Sequence, residues 1–239
     1  MHIKATRTAH WQQWVFRAAL AHPAGFPRPL YQLIDNGENN MAMRTATVTI
    51  TGTTALLQNN PQTVDRFNKY AKRMKEINAK GTRRTDDDYL ELRDIEVESK
   101  LYFDPAIGVY VPAGWLAEAV ATAAFRVAKI SKANIRGAMF VGDDKIKLNY
   151  RDSSKVKKPA DIVGNDAFRQ MLTLPQGQVR VVKAFPIFHG WSFSTGVEFD
   201  DKIIDPDSLT RITEHTARYV GFGDFRPKFG RATAEVAHA

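Results

Sequence analysis

An α+β fold is predicted for this chain of 239 residues. Three observations predict it. Apolar and hydroxyl residues alternate over 44–51, as in a half-buried strand; an alanine-rich helical repeat covers 112–130; and two strand-like runs precede a proline-started helix at 206–220. With 44% hydrophobic residues, the chain can bury a sizeable core in one domain carrying insertions.

Over 44–51, Ala46, Val48 and Ile50 share one face and threonines the other, until Gly52 breaks the strand. Asn60-Pro61 opens a helix expected to reach about residue 78, with Val64, Phe67, Tyr70, Met74 and Ile77 as its apolar stripe. Residues 79–88 form a mixed-charge loop. Tyr89, Leu92 and Ile95 predict a second helix, followed by a hairpin over 101–112. Pro112 then starts a helix to about residue 130, with Trp115, Leu116, Ala119, Val120, Ala123, Val127 and Ile130 turned inward.

Residues 137–141 and 145–150 are expected as a hairpin turning at Gly142-Asp143-Asp144. A basic, flexible stretch (151–160) and a short helix within 161–177 follow. Segments 178–188 and 191–199 are expected to pair around His189-Gly190, with Trp191 and Phe193 in the core. Asp205-Pro206 caps a helix through 220, and 232–236 is the last strand. With insertions at about 53–111 and 143–177 set aside, the order is βαββαβ, the ferredoxin-like split βαβ arrangement. RNA-recognition (RRM-like) domains use such a sheet as a base-stacking platform.

The first forty residues differ in texture: they hold Trp11, Trp14 and three prolines, with one short amphipathic helix expected at 11–20. Gly37-Glu38 can be encoded by a purine-rich ribosome-binding sequence, with Asn39-Asn40 as the spacer before Met41. Residues 1–40 are therefore expected to be a translated leader; the alternative is a genuine N-terminal arm. Residues 41–239 are expected to form a single domain, and they keep a formal charge of +6 out of the chain's +8.

That positive balance favours a polyanionic partner. The chain has no cysteine, which excludes disulfides and thiolate metal sites, and its six histidines show no metal-binding spacing. No metal or other cofactor is expected. No apolar run is long enough for a membrane span, so no membrane partner is expected either.

The densest motif is 221–231, where Gly221, Gly223 and Gly230 interleave with Phe222, Phe225, Phe229, Arg226, Lys228 and Arg231. Glycines let a backbone approach a ligand closely, and guanidinium forks suit phosphates. The run is not a nucleotide-hydrolysing loop, because it lacks the GxxxxGK[ST] pattern. A second cluster is Lys145, Lys147, Arg151, Lys155, Lys157 and Lys158. A third includes Lys72, Arg73, Arg83 and Arg84, and Arg126, Lys129, Lys132 and Arg136 end the main helix.

Arg180, Lys183, Phe185 and His189 add charge and rings on consecutive strands, with Phe185 and His189 expected to be accessible for stacking. His189, His215 and Tyr219 are the candidate acids or bases for metal-free RNA cleavage. Asp86-Asp87-Asp88 reads as an acidic first helical turn rather than a Mg²⁺ site.

Three segments, VTITGTTALLQNN (48–60), FPIFHGWSFSTGVEF (185–199) and ARYVGFGDFRPKFGRATAEV (217–236), resemble a family of small phage-encoded proteins. That family is similar to the RAMP superfamily, in particular the guide-RNA-binding backbone subunit of CRISPR effector complexes. The resemblance covers Met41 to the C-terminus. It implies a modified ferredoxin-like core, a glycine-rich loop after the second core helix at Gly221, Gly223 and Gly230, and a thumb-like insertion at 143–177 or 79–111. It also implies a homo-oligomer or filament assembled along the bound strand.

The chain shows no strict catalytic aspartate motif, which favours binding over cleavage. The expected function is non-sequence-specific binding of single-stranded RNA or DNA, in the host cytoplasm for a phage-encoded protein. The alternatives are a metal-independent RAMP-type endoribonuclease, or a protein-only interaction module such as a CRISPR antagonist or virion component.

Overall fold

Strand β1 (Met43–Gly52) follows directly from its alternation: Ala46, Val48 and Ile50 are buried, and the threonines between them point the other way. The computed structural model describes residues 43–239; the leader or arm expected at 1–40, with its helix at 11–20, lies outside the described residues. In chain order β1 is followed by β2 (Leu56–Leu57), α1 (Lys69–Ala79), α2 (Asp86–Ser99), β3 (Phe103–Asp104), β4 (Gly108–Pro112) and α3 (Ala113–Ala128). Then come α4 (Lys132–Ala138), β5 (Met139–Val141), β6 (Lys145–Lys147), α5 (Pro159–Val163), β7 (Arg169–Gln176), β8 (Val179–Phe188), β9 (Ser192–Asp200), α6 (Pro206–His215) and β10 (Ala232–His238).

The fold is α+β, with three antiparallel sheets among the described residues. The central one has the order β10-β1-β9-β5; the others are β2-β8-β7 and β3-β4-β6. Helices α3 and α6 pack on each other and against the central sheet. Buried alanines of α3, including Ala119, Ala123 and Ala124, let the backbones approach closely. Asp205 caps α6 by accepting from the Ser208 amide, with Pro206 in the first turn. The helix then widens into one π turn, Thr216–Val220, and stops at Gly221 with φ +73°.

Four expectations are corrected. The helix expected from 60 to 78 is two pieces, a 3-10 turn (Pro61–Val64) and α1, because Asn60 and Asn68 each cap their own start. Val64 and Phe67 consequently lie outside the core, 84% and 66% exposed. The 137–150 hairpin does not form: β5 pairs with β9 and β6 with β4, and α4, capped by Ser131, takes residues up to 138. Nor do 178–188 and 191–199 pair. The turn at His189-Gly190 (Gly190 φ +57°) passes the chain from one sheet to another, β8 pairing with β2 and β7 and β9 with β1 and β5. Finally, 169–176 is strand β7, with helix confined to Pro159–Val163 and a short 3-10 turn.

Helix α2 carries the acidic turn as expected: Asp86, Asp87 and Asp88 occupy its start, and Asp88 forms a capping box with Thr85. Its last turns anchor it to β8. The buried Glu96 carboxylate accepts from the Ala184 amide and from Lys183 Nζ, both at 2.7 Å. Among the described residues no helix is long and apolar enough to cross a membrane.

Candidate nucleic-acid interface

The central sheet has a covered face and an open one. Directly opposed residues of an antiparallel pair share a face. On β1 the open face carries Thr47, Thr49 and Thr51; the register sets them beside Gly196, Ser194 and Ser192 of β9 and beside Ala237, Glu235 and Thr233 of β10. Thr49 Oγ1 and Ser194 Oγ share a hydrogen bond of 2.9 Å. The face is thus lined mainly by hydroxyls, with the carboxylates of Glu198 and Glu235 among them. Among the described residues its one large ring is Phe140 of β5, 51% exposed and opposite Glu198.

A basic margin borders this face. Asn149 forms an isolated antiparallel bridge with Ser192, its amide and carbonyl exchanging bonds of 2.9 and 2.8 Å. Asn149 therefore shares the open side with Ser192. Ile146, Leu148 and Tyr150 are buried, so the alternation turns Lys145, Lys147 and Asn149 outward, and Arg151, in the turn that follows, is exposed. The Arg151 amide donates to the His189 carbonyl, which brings exposed His189 to the same margin. Across the sheet, Arg231 precedes β10, and its carbonyl accepts from the amides of Thr53 and Thr54. A transverse row of hydrogen bonds thus connects Arg231, the end of β1, the start of β9, and Arg151 with His189.

The cations of this margin differ in freedom. Lys145 Nζ lies 2.5 Å from Asp104 and over the Tyr110 ring; that hydrogen bond holds the Asp104 carboxyl below its ordinary range and raises Lys145. Lys155 pairs with Asp152 at 2.7 Å. Lys147, Arg151, Lys157, Lys158 and Arg231 have no ion-pair partner among the described residues. Lys147, Asn149 and Lys157 also line a concavity of about 450 Å³ beside the β3–β4 hairpin.

The glycine-rich run is a closed loop. The Phe222 amide bonds to the Gly230 carbonyl, and the loop is tied to the segment after β1 by Asp224 N–H to Leu57 O and Gly230 N–H to Ala55 O. Phe222 is fully buried against Trp191 and Phe193. A Cβ on Gly223 would meet Leu57 O at 2.4 Å, and one on Gly230 would meet Phe222 O at 1.7 Å. The close approach that these glycines permit, Gly221 included, is that of the chain's own backbone. Arg226 and Lys228 remain exposed at the loop's tip, Lys228 lying over the Phe229 ring.

The remaining sequence candidates lie apart from the margin. Phe185, expected to be accessible, is 3% exposed: the second half of β8 is buried on both sides, and the ring sits between Phe225 and Lys100. Lys183 is held by Glu96. Arg180 is exposed near the β7–β8 turn. Arg73 is committed to Glu91 and Glu76, and Arg84 to Asn78, Gly81 and the Tyr89 ring; Lys72 and Arg83 are exposed beside them on the helical insertion. His215 stacks on Tyr219 with ring centroids 4.6 Å apart, and neither His189 nor His215 makes a side-chain hydrogen bond among the described residues.

Sequence reasoning passed over the hydroxyls of Thr47, Thr49, Ser192 and Ser194, although the threonine alternation was visible. It also passed over Lys100. That ammonium donates to the Ala184 carbonyl at 2.5 Å and lies 3.6 Å from the Phe185 ring centre, and burial pushes its pKa down to about 8. No family model matches the chain, and no curated protein matches it.

Proposed function

We propose that the protein binds single-stranded nucleic acid through its sugar-phosphate backbone, without base specificity, and assembles along the strand. The observation that carries this reading is the exposed Lys147 and Arg151 bordering the serine and threonine hydroxyls of the open face, with Arg231 at the opposite margin. Hydroxyls and unpaired cations on an open sheet suit phosphate and sugar oxygens. The shortage of rings on that face argues for backbone contacts over base stacking. In this reading Arg226 and Lys228 extend the grip from the loop tip, and Lys155, Lys157 and Lys158 extend it from the other side.

The same reading takes the central sheet as a ferredoxin-like, RRM-like core resembling the RAMP superfamily. Its support is the order β10-β1-β9-β5 with α3 and α6 packed against the sheet, the pattern a βαββαβ chain produces. The segments 48–60 and 217–236, which carry most of the resemblance, are hydrogen-bonded to each other.

The test is a mobility-shift titration of the full chain on single-stranded RNA, single-stranded DNA and duplex across a salt series. Single strands should bind with a steep salt dependence, and multiple shifted species should mark assembly. Binding that ignores salt, or none at all, would overturn the proposal.

A further inference from the structure

We propose that the free edge of β10, together with the groove between it and α6, accepts an extended acidic peptide as an added strand. This edge adjoins the open face at the margin that Arg231 marks, and its groove lies on the α6 side of the sheet. Among the described residues β10 pairs only with β1. Thr53 N–H donates to Arg231 O and Ala239 N–H to Thr45 O, so the odd-numbered residues at this end of the chain turn their backbone groups toward β1. By alternation, Ala232, Ala234, Val236 and His238 direct their N–H and C=O groups outward.

That edge carries few of the usual guards, Glu235 being the one carboxylate in the strand. The strand from Ala232 to His238 has no proline or lysine, and its register with β1 runs unbroken from Gly52↔Ala232 to Ala46↔His238. Exposed, unblocked edges are templates for strand addition. Beside it lies a groove of about 480 Å³ with residues 232–234 on one wall and Arg211, Glu214, His215, Arg218 and Tyr219 on the other. A strand edge next to a helix is the geometry of peptide capture by β-augmentation, in which main-chain bonds supply affinity and alternate side chains supply specificity.

The occupant follows from charge. In an added strand, alternate side chains turn toward α6, where Arg211 and Arg218 outnumber Glu214. Neither arginine has an ion-pair partner among the described residues; Arg211 donates only to Ser208 Oγ, at 3.0 Å. Carboxylates at alternate positions would meet both guanidinium groups. The side chains between them would lie beside Thr233 and Glu235 on the open face and must be uncharged or basic.

The probe is a fluorescein-labelled peptide alternating glutamate and threonine, long enough to span β10, titrated into the full chain by anisotropy. Saturable binding is expected, weakened about tenfold or more by Arg211→Glu with Arg218→Glu, a loss of about 1.4 kcal/mol per decade. Ala234→Pro, which removes an outward N–H and leaves the β1 ladder intact, should abolish it. Amide-exchange protection on adding peptide should concentrate at Ala232, Ala234 and Val236. Equal binding of a lysine-threonine peptide, binding untouched by both substitutions, or a dimer that Ala234→Pro dissolves would overturn the proposal.

Discussion

The two faces of the central sheet are built from the same strands and do opposite work. On one side Ala46, Val48, Ile50, Phe193, Val197 and Phe199 are buried under helices; on the other, threonines and serines of the same strands stand open. A period-two pattern makes this split available to any strand. Here it assigns rings to packing and hydroxyls to the surface, so the open face suits a polar backbone better than stacked bases.

Substitutions on the two faces should therefore separate stability from binding. Trp191→Ala should have the largest effect, about 3–5 kcal/mol in denaturant unfolding. Its ring is buried against Phe193 and Phe222, its Nε1 donates to the Thr54 carbonyl at 2.7 Å, and its side chain fills the space beside Gly52. Gly230→Ala comes next: with φ +76° and Phe222 O in the way, it should cost more than about 1 kcal/mol and loosen the 221–231 loop. Lys147→Glu with Arg151→Glu should leave the unfolding midpoint unchanged while reducing the salt slope of single-strand binding by about 1.4, the share of two phosphate contacts.

A pH titration tests a second packed region, where Lys100 sits against β8. Folded Lys100 releases its proton near 8, and the unfolded chain holds it to the ordinary 10.5. Unfolding therefore takes up a proton between these values, and stability should rise with pH across that window. Tyr150, pushed up to about 12 by burial from an ordinary 10.0, opposes that rise above pH 10 and reverses it above 10.5. Lys100→Met should flatten the rise; an unchanged profile would place its cause elsewhere. The smallest effect belongs to Thr49→Ala, whose loss of the Ser194 contact on the open face should stay within about 0.5 kcal/mol.

Local pattern made β1, α3 and α6 legible, because alternation, an alanine-rich stripe and the Asp205-Pro206 cap each act within a few residues. Strand partners were not legible. Whether β9 pairs with β8 or with β1 is decided by the turn at Gly190 and by distant packing, not by the hairpin-like spacing. The same limit governs the site. The cations at 145–158 stand out in the sequence, but their common face with Ser192 depends on the Asn149 bridge. Phe185 looked accessible because alternation normally spares one face, and the end of β8 is buried on both. The glycine-rich run was conspicuous for a reason other than ligand approach: its glycines clear space for the chain itself.

In the proposed function the open face and its basic margin hold a nucleic-acid backbone. The most direct test of this role is fluorescence anisotropy of a labelled single-stranded oligonucleotide with the full chain and with the Lys147→Glu, Arg151→Glu variant, at matched salt and confirmed equal stability. Binding weakened about tenfold or more, equally for purine and pyrimidine strands, is the predicted result. Unchanged affinity in the variant would exclude this role for the open face.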